Sequence, residues 1–251
     1  MNSIPKGATL LGIFDSGVGG FSVYKQIRKV SEVDCIYYGD CLRAPYGSRE
    51  EAEIVRFIKD DIQFLQGEGV THFVNACNSM SVVTTNTLLI ECGVNDKQYT
   101  DMVRAFEANA LFKVGEKVLV IATGATLRSG VYQEVLSKKG VTVFEYSYKE
   151  LAGAIENSAT HEELLQIILP GIVYAHEVGA TRIVYGCTHY PLAHRIFLYA
   201  QKNCEWKGEF IDPAIYVAEE IKKWDVQGTR KFCPYSSKDT PAFIKNVARL
   251  F

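Results

Sequence analysis

Two cysteines stand at equivalent points of two similar stretches, "VNACNS" (74–79) and "VYGCTH" (184–189). In each stretch an apolar, strand-like run ends in a small residue, which is followed by Cys77 or Cys187. A cysteine between a strand and the start of a helix feels the helix dipole, which lowers the pKa of its thiol. Two such thiols predict a pair that faces one substrate from opposite sides. Because free cysteines are so often buried, two unreactive core thiols are the alternative.

The residues directly after both cysteines are polar and favour the reactive interpretation: Asn78, Ser79, Thr188 and His189. His189 is a general acid or base, a group that orients Cys187, or a structural histidine. A metal site made of both thiols and His189 lacks a further ligand at tetrahedral spacing. A cysteine–histidine nucleophile for acyl transfer leaves Cys77 without a role.

A glycine-rich segment, "FDSGVGG" (14–20), follows the first apolar run. Gly17, Gly19 and Gly20 allow a sharp turn and a close approach of backbone N–H groups to a ligand. The segment lacks the lysine and hydroxyl residue of a phosphate-binding loop, so nucleotide binding is the weaker interpretation. Asp15 ends a buried strand, where a carboxylate is costly unless it binds something. Capping of the next helix is the alternative role for Asp15.

Two further loops carry candidate binding groups. In "YYGDCLRAPYGSRE" (37–50), the backbone of Tyr46 and Gly47 lines a cleft or merely forms a turn. In "IATGAT" (121–126), Thr123 and Thr126 end another strand. Their hydroxyl groups either reach the same cleft or cap a helix.

Short apolar runs alternate with longer helical patterns along the whole chain, which predicts an α/β fold. Parallel strands place their carboxyl ends, and hence the functional loops, at one edge of a sheet. The repeated strand–cysteine–polar pattern predicts two similar lobes, each a mostly parallel sheet flanked by helices. The active site is then expected in the cleft between the lobes.

Composition excludes several classes of protein. Of the 251 residues 47% are hydrophobic and 22% are charged, and the net charge of −2 favours neither nucleic acid nor membrane as a partner. No signal peptide or membrane span is visible, so a cytoplasmic location is the expectation. The seven cysteines are odd in number and form no C-x-x-C pair, which favours reduced thiols over disulfides or a zinc ribbon.

The segments "FDSGVGG", "YYGD", "PYG", "ACNS", "ATGAT" and "GCTHYPL", in this order and spacing, resemble the glutamate racemases of the aspartate/glutamate racemase superfamily. The resemblance implies cofactor-independent racemisation of L- and D-glutamate, which supplies D-glutamate for peptidoglycan. It implies a two-base mechanism in which both thiols transfer protons. A small-molecule substrate is the expected partner, and a homodimer is one possible arrangement.

The resemblance also implies which residues form the site. The expected catalytic residues are Cys77, Cys187, Asp15, His189 and Glu156. The expected substrate-binding residues are Asp15, Ser16, Tyr46, Gly47, Asn78, Ser79, Thr126, Thr188 and His189. No metal ligand and no cofactor are expected.

Lobe boundaries follow from the same resemblance: residues 1–97 with 212–251 form the first lobe, and residues 98–211 form the second. Ser79, Met80 and Arg104 depart from the usual pattern, and Met80 is bulky for a place beside the cleft. The rival functions are an aspartate or broad acidic amino acid racemase and a non-catalytic amino-acid-binding regulator. Retention of both cysteines argues against the regulator, because binding alone requires neither thiol.

Overall fold

The protein consists of two parallel β-sheets with helices on both faces of each. The computed structural model describes residues 9–224 and 226–250. The strands are β1 (Leu10–Asp15), β2 (Asp34–Gly39), β3 (His72–Asn75), β4 (Tyr99–Asp101), β5 (Lys117–Ala122), β6 (Thr142–Ser147), β7 (Arg182–Gly186), β8 (Glu209–Ile211) and β9 (Phe232–Ser236). The α-helices are α1 (Phe21–Val30), α2 (Glu51–Gly67), α3 (Asn78–Ser81), α4 (Asn86–Glu91), α5 (Met102–Asn109), α6 (Gly124–Arg128), α7 (Val131–Lys138), α8 (Leu151–Glu156), α9 (His161–Glu177), α10 (His194–Asn203), α11 (Ala214–Lys223) and α12 (Thr240–Leu250).

The first sheet has the strand order β4-β3-β1-β2-β9 and the second has the order β6-β5-β7-β8. All neighbouring strands in both sheets pair in parallel. The predicted α/β fold with two similar lobes is therefore confirmed. No helix in the described part of the chain is long and apolar enough to cross a membrane.

The central strand β1 shows why the sequence forms a sheet that is covered on both faces. All six of its residues are buried. Leu11 and Ile13 pack into the core beneath α1 and α11, whereas Leu10 and Phe14 pack into the core beneath α2. Successive side chains of a strand point to opposite faces, so a continuous apolar run is what a doubly covered strand requires.

The chain crosses between the sheets twice. Strand β4 pairs with β3, so Tyr99–Asp101 belongs to the first sheet and the first crossing comes after residue 101. This differs from the expected boundary at residue 97, because backbone pairing with β3 retains three more residues in the first sheet. The second crossing follows β8, and the next helix, α11, packs against α1. The boundaries of the lobes as folding units stay a prediction.

The C-terminal segment returns to the first sheet and is fastened there by Asp34. Oδ1 of Asp34 accepts hydrogen bonds from the N–H and hydroxyl of Thr229 and from the N–H of Lys231, at 2.8–3.0 Å. Burial alone would raise the pKa of Asp34. These donors and the charge of Arg28 lower the pKa by more than burial raises it, so the net shift is downward. An ionised carboxylate thus aligns β9 with β2.

Candidate active site

A cavity of about 1010 Å³ lies where the carboxyl ends of the two sheets meet. Most of the residues predicted for the site lie on its wall: Ser16, Tyr46, Gly47, Cys77, Asn78, Ser79, Glu156, Cys187, Thr188 and His189. Asp15 and Thr126 are not on the wall and lie behind it, where both are buried. The cavity is large enough for an amino acid and is lined by polar groups from both lobes.

The two thiols reach this cavity from different sheets. Cys77 follows β3 of the first sheet, and Cys187 follows β7 of the second. Their exposed fractions are 6% and 7%, so each thiol is buried except where it meets the cavity. Both thiols therefore belong to the wall of one cavity, and the charge of Cys187 is among the influences that raise the pKa of Cys77.

Cys77 lies in surroundings that disfavour its thiolate. Burial raises its pKa most, followed by the charge of Asp15, while the N–H of Met80 and the Ser16 hydroxyl oppose the shift. Its Sγ lies 3.8 Å from Ser16 Oγ. The expectation that a helix dipole lowers this pKa is wrong, because α3 spans only four residues and burial outweighs its N–H groups.

Cys187 faces a histidine that is itself paired with a carboxylate. Its Sγ lies 3.9 Å from His189 Nδ1, and His189 Nε2 lies 3.1 Å from Glu156 Oε2. Burial lowers the pKa of His189, but Cys187 and Glu156 together raise it well above its usual range. A protonated imidazole therefore donates to Glu156 and places positive charge beside the Cys187 sulfur.

Asp15 connects the two lobes from behind the cavity wall. Its Oδ1 accepts the N–H of Gly17 at 2.7 Å, and its Oδ2 accepts the hydroxyl of Thr188 at 3.0 Å. Burial raises its pKa to about 6, against the opposing influence of His189 and of these two donors. The carboxylate does not cap α1, whose first turn begins at Gly20 without a side-chain cap. A direct contact of Asp15 with substrate stays a prediction.

The glycine-rich loop is required by space rather than by backbone angle. Neither Gly17 nor Gly19 has a positive φ. A Cβ on Gly17 would lie 2.8 Å from Glu156 Oε1, and one on Gly19 would lie 2.6 Å from Thr188 Oγ1 and would also clash with His189. A Cβ at Gly17 would therefore have to displace the Glu156 carboxyl group, and one at Gly19 would have to displace Thr188 and His189.

Polar side chains from both lobes surround the first thiol. Asn78 accepts the hydroxyl of Tyr132 at its Oδ1, 2.6 Å away. Its Nδ2 is buried and has no partner among the described residues, and Asn78 is one of the residues that line the cavity. Ser79 Oγ lies 3.2 Å from Thr123 Oγ1, which lies 3.2 Å from Thr126 Oγ1. Of these two threonines, Thr123 lies on the cavity wall, and Thr126 contacts it from behind.

A partly buried cluster of Arg43 and three aspartates, which the sequence analysis missed, holds the loop of Tyr46. The hydroxyl of Tyr46 donates to Asp40, which also pairs with Arg43. Arg43 further contacts Asp60 at 2.5 Å and the fully buried Asp61 at 2.8 Å. The sequence did contain a signal for this cluster. Asp61 lies on the apolar face of α2, and a buried carboxylate there needs a cationic partner.

Two departures from the family pattern lie away from the cavity. Met80 is fully buried in the core of the first lobe, so its bulk does not narrow the cleft. Arg104 lies 3.3 Å from Asp101 and donates to Asn86 at 2.8 Å.

Three cationic side chains at the cavity wall were not predicted, because exposed cations form no recognisable pattern in the sequence: Arg128, Lys149 and Lys238. Within the described residues, no three His, Cys, Asp or Glu side chains are grouped to hold a metal ion.

Comparison with known proteins agrees with this geometry. The family model for Asp/Glu/hydantoin racemases matches residues 23–221. The chain belongs to this racemase family. A glutamate racemase from Thermoanaerobacter sp. (strain X514) is 32% identical over 261 aligned positions, which cover 96% of this chain and 92% of that protein.

Solved structures support the same conclusion. The crystal structure of glutamate racemase from Campylobacter jejuni has a TM-score of 0.81 and 25% identity, covering 96% of this chain and 97% of that one. The glutamate racemase of Aquifex pyrophilus has a TM-score of 0.78 and 28% identity, covering 96% and 94% of the two chains. This member of the racemase family thus shares its two-lobe architecture with both solved structures over nearly the whole of its chain.

Substitution of Gly19 tests the close contact between the lobes. We expect Gly19→Ala to lower kcat/KM for racemisation about a hundredfold, because its methyl group would displace Thr188 and His189. Gly67→Ala is the matched control, since a Cβ there meets nothing within 4 Å. Steady-state kinetics of the two variants measure the effect. Equal activity of Gly19→Ala and the control would contradict the contact.

Substitution of Asp15 gives a pH-dependent difference in stability. The folded pKa of Asp15 is about 6, above the value of about 3.9 in an unfolded chain, so the wild-type protein loses stability as pH rises through this interval. Asp15→Asn cannot ionise. We therefore expect its melting temperature, relative to wild type, to rise between pH 4 and 7, measured by thermal denaturation. Asp96→Asn, at an exposed position, is the control. A difference in melting temperature between Asp15→Asn and wild type that stays constant with pH would contradict the raised pKa of Asp15.

Proposed function

We propose that this protein is a glutamate racemase that inverts the α-carbon of glutamate with two thiols and without a cofactor. The observation that carries the proposal is that Cys77 and Cys187, from different sheets, line the same cavity. Inversion requires a base on one face of the α-carbon and an acid on the other. Two equivalent groups can exchange these roles as the reaction runs in either direction.

Each thiol serves one enantiomer in the proposed mechanism. Cys77 removes the α-proton of D-glutamate while Cys187 protonates the opposite face, and the roles are reversed for L-glutamate. Burial and the charge of Asp15 raise the pKa of Cys77, so the positive α-ammonium group of a bound substrate would favour its thiolate. His189 lies beside Cys187 Sγ, where its positive charge balances a thiolate.

Donors around the cavity stabilise the charge that develops on the substrate carboxylate as the α-proton leaves. Asn78, whose Nδ2 has no partner among the described residues, and Ser79 line the cavity together with Cys77. Thr188 also lines the cavity, and its hydroxyl donates to Asp15. Such pre-aligned donors are worth most in a site from which water is excluded.

The names of the relatives favour glutamate over aspartate as the substrate. D-glutamate produced here would serve peptidoglycan synthesis. We also propose that the chain moves as two lobes, with the first boundary shifted from residue 97 to follow Asp101, so that residues 98–101 belong to the first lobe. A homodimer stays a prediction, which light scattering of the purified protein can test.

The activity is tested by incubating the purified protein with each enantiomer of glutamate and aspartate and following optical rotation or chiral chromatography. We expect racemisation of both glutamate enantiomers with EDTA and a carbonyl reagent present, because both thiols belong to the chain. We expect a higher kcat/KM for glutamate than for aspartate. The reverse preference would indicate an aspartate racemase, and binding without turnover would indicate a regulator.

Replacement of each thiol separates their roles. We expect Cys77→Ser and Cys187→Ser each to lower racemisation at least a thousandfold, because every turnover needs a base and an acid and a hydroxyl is a far weaker base. Substrates with a leaving group at the β-carbon need only the first proton abstraction. Cys77→Ser should then retain elimination from the L-form, and Cys187→Ser from the D-form. Equal retention on both enantiomers would contradict the two-base mechanism.

A further inference from the structure

The peptide group on each side of Cys77 is held by a buried polar side chain. Asn75 and Ser81 have exposed fractions of 0% and 5%, and neither lies on the cavity wall. A buried polar side chain is costly unless its hydrogen bonds are made, so these contacts identify what the residues do.

Asn75 holds the N–H of Cys77. Its Oδ1 accepts that N–H at 3.1 Å. Its Nδ2 donates to the hydroxyl of Tyr99 at 3.1 Å and lies 3.3 Å from Thr84 Oγ1. One amide side chain thus connects the backbone of the thiol to strand β4.

Ser81 holds the carbonyl group of the same residue. Its hydroxyl donates to Cys77 O at 2.8 Å, and its Oγ accepts the N–H of Met102 at 3.3 Å. Met102 is the first residue of α5, directly after β4. The two hydrogen-bonded connections from Cys77 therefore end three residues apart in the chain, at Tyr99 and at Met102.

This junction of β4 and α5 is where the chain leaves the first sheet for the second. We propose that Asn75 and Ser81 are positioning residues that fix the backbone of Cys77 against the junction, so that the reacting sulfur keeps its place as the lobes close. The proposal rests on the proposed racemase function. Neither residue touches the substrate, and both act through Cys77.

The consequence is specific to one of the two proton transfers. A less firmly held Cys77 slows the proton transfer at its own sulfur. The proton transfer at Cys187 then limits the overall rate less than it does in the wild-type protein. With α-deuterated substrate, the deuterium is removed by Cys77 from D-glutamate and by Cys187 from L-glutamate. The primary isotope effect on kcat/KM should therefore increase for D-glutamate and decrease for L-glutamate.

The experiment compares Asn75→Leu and Ser81→Ala with wild type in both directions. We expect kcat/KM to fall about tenfold in Asn75→Leu and less in Ser81→Ala, with the change mainly in kcat. We expect the two isotope effects to move in opposite directions in both variants. Ser81→Ala removes only one hydroxyl group, so it remains informative if Asn75→Leu folds poorly.

Ser22→Ala is the matched control, because Ser22 is as buried as Ser81, at 5%, and its hydroxyl has no partner among the described residues. We expect wild-type rates and isotope effects for this variant. Isotope effects that stay unchanged, or that move together for the two enantiomers, would overturn the proposal. A wild-type protein that fails to racemise glutamate would instead overturn the proposed function.

Discussion

The buried carboxylate of Asp15 is the constraint around which the two lobes are arranged. Neither lobe alone satisfies it, because Oδ1 is bound by the N–H of Gly17 in the first lobe and Oδ2 by the hydroxyl of Thr188 in the second. If either donor were lost, one oxygen of the carboxylate would remain buried without a hydrogen bond, which is costly. Its two partners therefore hold the glycine-rich loop and the Cys187 loop in contact, and the absence of side chains at Gly17 and Gly19 makes that contact possible.

This arrangement leaves the two thiols in different electrostatic surroundings. Cys77 is buried near the negative Asp15, and both influences favour its neutral form. Cys187 lies beside a histidine that Glu156 helps to keep protonated. The proposed mechanism needs one thiol and one thiolate at a time, and the two sulfur atoms lie beside groups of opposite charge. The charges of a zwitterionic substrate can then shift the balance in either direction.

Rigid supports hold the cavity wall from behind. Arg43 joins three aspartates and, through Asp40, the loop that carries Tyr46. Asn75 and Ser81 join Cys77 to the junction of β4 and α5. Catalytic groups need such support because small displacements of reacting atoms cost large factors in rate. The contacts of Asn75 and Ser81 end at Tyr99 and Met102, beside the first crossing between the sheets.

Local patterns in the sequence were sufficient for the elements and for both thiols, whereas Ser16 and Glu156 on the cavity wall came only from the resemblance to the glutamate racemases. Apolar runs of strand length predicted the parallel sheets, and a cysteine after a strand in each half located both thiols, because strand ends and side-chain periodicity depend on neighbours in the chain. Tertiary structure decided the rest. Tertiary packing reversed the expected pKa shift of Cys77 through burial, and it placed Met80 in the core, Thr126 behind Thr123 and β4 beside β3 in the first sheet. It also gave Asn75 a role, through Tyr99, that its sequence neighbourhood did not indicate. Burial and hydrogen bonding between distant residues depend on which segments pack together, and a single sequence does not state those pairings.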